Sequence, residues 1–390
     1  MIKLMDIRTG SFMELTQWIT GGRSTSHRAG KRRSLCRCKT FRVAVLRTSC
    51  SWVCFTAFVC GLFLLLGVCF LNLFDPRLQP FPLTGVEPRD VTLLLWTHPF
   101  GRYRRLPDCE ARFGIRGCVL TDDRRMYPGA DAIIMHHREI VTNATALPSD
   151  PRPRGQKWIW MNFESPSHTR GLWQFEGLFN LTMTYRADSD IFLPYGYLVT
   201  RLHPQANTPH TRPRRPHLLA WVISNWSESQ ARVAYYRRLV NYVDVDVFGR
   251  AGVPLPEDST VVRTVRRYLF YLALENSQHP DYITEKLWNS LLAGAVPVVL
   301  GPPRENYERF LPHDAFIHVD DFSSPRLLAQ YLMLLRRSPT LLQRHLAWRR
   351  SYSVHLTAFW AEHYCTACRV VRNHSLRTDT ITNLQRWFES

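Results

Sequence analysis

The sequence predicts an α/β protein with two Rossmann-like domains and a cleft between them, preceded by a single N-terminal transmembrane helix. Three observations carry this. An uncharged apolar run at residues 52–74 follows a basic segment, apolar β-branched runs alternate with amphipathic helical patterns from residue 91 onward, and a Pro- and Arg-rich stretch at 203–217 interrupts that alternation.

The apolar run holds 23 residues. At about 1.5 Å per residue it spans roughly the hydrocarbon core of a bilayer. Residues 1–50 carry eleven Lys or Arg against Asp6 and Glu14, a net +9 of the formal +18. The positive-inside rule keeps such an N-terminus in the cytosol and puts everything after residue 74 on the far side. A cleaved signal peptide is disfavoured, because the run is long, starts late and lacks a small-residue cleavage site. Topology accounts for half of the basicity and no basic nucleic-acid motif follows, so no nucleic-acid partner is expected. Beyond the run lie four N-x-Ser/Thr sequons, at Asn143, Asn180, Asn225 and Asn373, as suits a chain exposed to glycosylation. Cys109, Cys118, Cys365 and Cys368 also lie there; in an oxidising compartment they read as two disulfides with three possible connectivities.

Residues 75–90 are proline-rich and read as a semi-extended stem. After it, strands are predicted at 91–96, 130–137, 157–163, 218–224, 243–248, 268–274, 296–300 and 316–319, with helices at 228–242, 284–293 and 325–337. Continuous apolar strands spaced by helices indicate parallel sheets covered on both faces. The expected division is therefore a tail at 1–51, an anchor at 52–74, a stem at 75–90, domains at 91–205 and 206–360, and a C-terminal segment at 361–390. A cleft between two such halves is where open α/β sheets bind ligands.

The densest chemistry runs from Phe270 to Tyr307, FYLALENSQHPDYITEKLWNSLLAGAVPVVLGPPRENY. Glu285 and Lys286 fall in the first turn of a helix that follows a strand's carboxyl end, where free N–H groups and a partial positive charge suit a phosphate. Glu164 ends the apolar strand KWIWMNF and would point into the cleft as a candidate base. Asp188-Ser189-Asp190 has the D-x-D form that holds a metal in some transferases, and Asp244-Val245-Asp246 repeats the pattern inside a plain strand. His136 and His137 are adjacent, so on a strand they point to opposite faces and cannot easily share an ion.

The stretches LENSQHPDYITEKLWNSLLAGAVPVVLGPPRENYERF, WIWMNFESPSHT, TYRADSDIFLPYG, AWVISNWSESQARVAYY and AFIHVDDFSSP resemble the α-1,3-fucosyltransferases of glycosyltransferase family 10, as do the terminal CTAC and NLQRWFES. The resemblance runs from about residue 91 to Ser390. It implies a type II Golgi membrane enzyme of GT-B fold, with an acceptor-side half followed by a donor-side half. Such an enzyme transfers L-fucose from GDP-β-L-fucose, with inversion, to the 3-hydroxyl of N-acetylglucosamine in N-acetyllactosamine glycans, and needs no metal.

Carried over residue by residue, the resemblance makes Glu164 the base. Tyr195, Ser224, Asn225, Arg232, Tyr271, Asn276, Tyr282, Glu285 and Lys286 match positions around GDP-fucose. Arg232 and Lys286 would hold the diphosphate, and Tyr271 or Tyr282 could give the nucleotide flat contact and a hydroxyl. Asn225 would line the donor pocket and so stay unglycosylated, which leaves Asn143, Asn180 and Asn373 as glycan sites. Arg138 in His136-His137-Arg138-Glu139 implies type 2 acceptors and Lewis x type products, and Arg102 in WTHPFGR implies a further acceptor contact where a close relative carries Gln. The family's disulfide pattern implies Cys109 to Cys365 and Cys118 to Cys368. A membrane-anchored lectin, or a relative that keeps the fold without turnover, is the rival class; a lectin has no use for a diphosphate site or a base.

Overall fold

The structure is a computed structural model that describes residues 90–142, 147–203, 215–256, 259–373 and 379–390, together with 4–5 and 12–13. Apart from residues 4–5 and 12–13, the expected tail lies outside the described residues, as do the anchor, nearly all of the stem and Asn143. Among the described residues no helix is long and apolar enough to cross a membrane. Two compact units divide at Glu87 and Pro88. In the first, the two-residue strands Leu4–Met5 and Phe12–Met13 pair antiparallel.

The second unit is built on two parallel sheets. The first uses β1 (Val91–Leu95), β2 (Cys118–Thr121), β3 (Ala132–His136), β4 (Lys157–Asn162), β5 (Leu181–Thr184) and β6 (Ile191–Phe192), in the order β2-β1-β3-β4-β5-β6. The chain then passes through β7 (Gly196–Thr200) into the second sheet. That sheet uses β8 (His217–Val222), β9 (Asp246–Phe248), β10 (Tyr268–Leu274), β11 (Val296–Leu300) and β12 (Ile317–His318), in the order β9-β8-β10-β11-β12. β13 (Tyr352–Leu356) returns and pairs antiparallel with β7. The helices that matter below are α1 (Cys109–Phe113), α2 (His137–Thr142), α3 (Ala231–Leu239), α4 (Glu285–Ala293), α5 (Pro325–Arg337), α6 (Ala361–Asn373) and α7 (Leu384–Glu389).

Burial on both faces explains the unbroken apolar strands of the second sheet. Leu219 and Trp221, Phe270, Leu272 and Leu274, and Val296 and Val298 pack into one core, while Ala220, Tyr271, Ala273 and Val299 pack into another on the opposite face. Successive side chains of a strand alternate between faces, so a parallel strand with helices on both sides needs apolar residues at every position. The first sheet has its own core around Ile133, Ile159, Trp160 and Met183. To that core the C-terminal segment adds Tyr364, Ala367, Cys368, Leu384 and Phe388. The last helices thus close the first half rather than the second.

Two disulfides fix that return. Cys109 bonds Cys365 with Cα atoms 5.3 Å apart, and Cys118 bonds Cys368 at 5.9 Å, across sequence separations of 256 and 250. One predicted modification site does not survive folding. Asn180 is 2% exposed; its side-chain oxygen accepts from the Trp158 N–H at 2.9 Å and from Arg152 at 3.1 Å, so the expectation of a glycan there is corrected. A branched sugar on that amide would have to displace the β4 edge it holds.

Candidate active site

Glu164 owes its position to the residue that ends β4. Asn162 is 2% exposed and accepts the Glu164 N–H on its side-chain oxygen at 3.2 Å, while its amide donates to Thr169 Oγ1 at 2.8 Å. This local side-chain turn bends the chain away from the sheet. Glu164 itself is exposed and lines a cavity of about 280 Å³ with Phe100, His136, Phe163, Tyr195, Glu285, Phe359 and Trp360. The cavity draws walls from both halves, because Glu285 opens α4 beyond the second sheet. A larger hollow of about 660 Å³ lies open along α7 and contains none of the predicted site residues.

The two halves also touch beside Glu164. Ser165 Oγ lies 2.6 Å from Ser277 Oγ, and Ser167 Oγ lies 2.7 Å from His279 Nε2. Tyr195 donates to the Phe163 carbonyl, and burial pushes its hydroxyl well above the usual phenol range. On the other side of the cavity, His136 is 3% exposed and pairs through Nδ1 with Glu139, while the Arg138 guanidinium sits 5.1 Å over the Phe100 ring. Arg102 is exposed just after this segment, but the residue of the segment that lines the cavity is Phe100.

The cationic part forms around the start of α4. Arg232 in α3 is 4% exposed; it donates to the Asn225 carbonyl at 2.6 Å and to Gln230 Oε1 at 2.9 Å. Lys286 Nζ lies 2.9 Å from Glu275 Oε2 and 3.5 Å from Glu285 Oε1. Burial pulls the Lys286 ammonium down, but Glu275 and Glu285 outweigh it and leave its pKa above the usual lysine value. Ser224 and Asn225 are exposed where the chain leaves β8, and Asn276 is half-buried in the loop from β10 to α4.

One expectation changes here, and the rival D-x-D reading meets its geometry. Tyr271 is 2% exposed inside the core under α4, and Tyr282 is 3% exposed with its ring 5.1 Å from Tyr185, so neither is free to lie flat on a nucleotide base. The D-x-D carboxylates are engaged structurally: Asp188 pairs with Arg186 at 2.9 Å and accepts from Trp387, and Asp190 accepts from the Thr182 N–H and hydroxyl at 2.9 Å. The adjacent histidines separate because His136 ends β3 while His137 begins α2.

His137 and His363 are buried in neutral form behind the cavity. His137 Nε2 donates to the Arg170 carbonyl at 2.9 Å and Nδ1 accepts from Trp160, an arrangement that fixes the neutral tautomer. Burial lowers its pKa to about 4. His363 is fully buried, its ring 4.4 Å from both Phe163 and Phe359; burial lowers its pKa to about 3. Below about pH 6.5 the unfolded chain takes up protons that the folded one refuses, so stability falls on acidification. From pH 7 to pH 5 each ring is expected to cost about 2 kcal/mol. Urea melts of the residue 75–390 fragment across that range would show it, and His363→Phe should remove about 2 kcal/mol of the loss.

Against this geometry, residues 88–196 match the family described as Fucosyltransferase, N-terminal, and residues 212–387 match Glycosyltransferase family 10 (fucosyltransferase) C-term. The chain belongs to glycosyltransferase family 10 and is an enzyme of that class. It is 50% identical over 357 residues to alpha-(1,3)-fucosyltransferase 4 of Bos taurus, a match covering 80% of this chain and 89% of that one. The Homo sapiens protein of the same name is 49% identical over 80% of this chain and 67% of its own. A 4-galactosyl-N-acetylglucosaminide 3-alpha-L-fucosyltransferase 9 of Mus musculus is 46% identical over 77% of this chain and 82% of that one. A crystal structure of an alpha1,3-fucosyltransferase with GDP-fucose aligns over 75% of this chain and 92% of that one, with a TM-score of 0.47 and 14% identity.

Proposed function

We propose that this chain is an inverting α-1,3-fucosyltransferase that moves L-fucose from GDP-β-L-fucose to the 3-hydroxyl of N-acetylglucosamine in type 2 N-acetyllactosamine glycans. The observation that carries this reading is the one cavity with Glu164 from the first half and Glu285 from the second in its walls. Glu164 takes the acceptor proton as the 3-hydroxyl attacks the face of fucose opposite the leaving diphosphate. Arg232, Lys286 and the free N–H groups of α4 stabilise the charge that builds on the diphosphate. Ser224, Asn225 and Asn276 complete the donor pocket with the hydroxyls of Tyr195, Tyr271 and Tyr282. Phe100, Phe359 and Trp360 give the sugar rings an apolar floor, and Arg102 and Arg138 face the acceptor.

In this reading the fold is of GT-B type, with 91–205 as the acceptor half, 206–360 as the donor half and 361–390 tied back by the two disulfides. The acceptors are glycans on glycoproteins and glycolipids. The chain is held in the Golgi membrane by residues 52–74, with its catalytic part in the lumen. No metal is required, because fixed cations and helix N–H groups do its work.

Transfer from GDP-fucose to N-acetyllactosamine by the purified 75–390 fragment tests the reading. Product bearing a new α-1,3 bond, formed at an undiminished rate in EDTA, is the expected result. Activity lost to EDTA and restored by Mn²⁺ would replace the metal-free mechanism. A folded fragment that binds the glycan but neither GDP nor GDP-fucose would instead be a lectin.

A further inference from the structure

Glu275 follows β10 directly, and its N–H donates to the Leu300 carbonyl at 2.8 Å, extending the ladder with β11. Its side chain is 1% exposed. Gly301 crowds it: a Cβ there would lie 3.3 Å from the Glu275 Cγ and 2.4 Å from the Tyr307 hydroxyl. The carboxylate is wholly committed. It accepts the Thr284 N–H at 2.9 Å, the Thr284 hydroxyl at 2.9 Å and the Lys286 ammonium at 2.9 Å. The Thr284 hydroxyl in turn accepts from Lys286 at 2.7 Å.

We propose that Glu275 is a positioning residue for the donor: a buried carboxylate that, with Thr284, grips two of the three Lys286 N–H donors and leaves the third, on the side where Glu285 lies 3.5 Å away, for a nucleoside diphosphate at the start of α4. This rests on the donor-site reading of Lys286. An ammonium with three rotatable donors has no preferred direction of its own, and two fixed partners give it one. The residue type supports this. From residue 88 to the C-terminus the sequence has only two lysines, Lys157 and Lys286, in a chain otherwise supplied with arginine. A guanidinium would offer these two acceptors donors locked in one plane, whereas a compact ammonium can turn a donor to each and keep a third in another direction. The charged groups facing Lys286 are Glu275 and Glu285, which keep it protonated, and Arg232, which opposes them.

Titration calorimetry of GDP with the 75–390 fragment, at pH 7 and pH 9, tests the assignment. The intact fragment is expected to bind about equally at both values, because the paired ammonium stays charged. Glu275→Gln keeps the shape and an acceptor for Thr284 but removes the charge; about tenfold weaker binding at pH 7, and a further loss of about tenfold by pH 9, are expected. The KM for an acceptor glycan should not move. Lys286→Ala separates the two readings. If Lys286→Ala binds GDP normally, the donor-site reading fails; if it binds weakly while Glu275→Gln matches the intact fragment at both pH values, the positioning role is overturned. Should Glu275→Gln not fold, acylation of the intact fragment at pH 8 decides. Lys286 labelled at least about tenfold more slowly than in the urea-unfolded chain supports the grip, and labelling at the unfolded rate refutes it.

Discussion

Glu164→Gln is expected to lower fucose transfer by about a thousandfold while leaving GDP affinity within about twofold. The substitution removes the only feature the mechanism asks of this side chain, a lone pair basic enough to take the 3-hydroxyl proton. It preserves the rest: the turn that aims residue 164 uses its backbone N–H on Asn162, and that bond is indifferent to Gln. In the proposed function GDP is held by groups of the second half, Arg232 and Lys286, so a large loss of affinity would mean misfolding rather than a missing base. The loss should appear in kcat, since the proton moves in the transition state. Rates within about tenfold of the intact enzyme would sink the assignment. His136 would then be the next candidate, because it lines the same cavity and is already paired with Glu139.

Removal of both disulfides is expected to destabilise the fold by more than twice the effect of removing one. Each bond alone closes a loop of about 250 residues, and in the chain-entropy model such a loop is worth roughly 5 kcal/mol. Once one is closed, however, the other only completes a small ring through residues 109–118 and 365–368, worth about 3 kcal/mol. Cys109→Ser with Cys365→Ser should therefore cost about 3 kcal/mol, and the quadruple substitution about 8 kcal/mol. Guanidinium melts of the three proteins measure both steps, and equal increments for the two pairs would contradict the ring argument. The loss should first release α6 and α7 from the core they share with Trp160 and Met183.

The strands that were legible in the sequence are those buried on both faces. β10 and β11 stand at their predicted bounds, and α5 begins at its predicted Pro325, where Ser324 caps it by accepting the Leu327 N–H. Helix α3 is shorter than expected, because residues 227–230 form a turn before it. Five strands escaped, among them the two-residue β6. β2 and β5 are short and rich in Thr or Cys, β7 is mostly exposed and β13 is half-buried along its whole length, so neither pair carries a continuous apolar signal. β7 and β13 recognise one another across about 150 residues, which no local pattern encodes. In the site, Glu164 and Lys286 stand at the strand end and helix start where the sequence put them, but position alone did not give their roles, which the family resemblance supplied. Glu275 was missed although it also ends an apolar strand, because its burial depends on Gly301 and Tyr307 closing over it. Phe100, Phe359 and Trp360 come to the cavity only through tertiary folding.

The crossing of β7 with β13 sets how the enzyme can breathe. The chain leaves the first half along β7 and comes back along β13, and the two are stitched over five residue pairs from Tyr352 opposite Thr200 to Leu356 opposite Gly196. A single tether would let the halves drift in any direction. A hydrogen-bonded ribbon resists being stretched or sheared, because either motion breaks its ladder, but it yields to twisting along its length. Gly196, where that ribbon passes over Trp288 of α4, has no room for a Cβ. Under the proposed function, exchange of donor and product is expected to use a rotation about this strap, which would carry Glu285 and Lys286 together relative to Glu164.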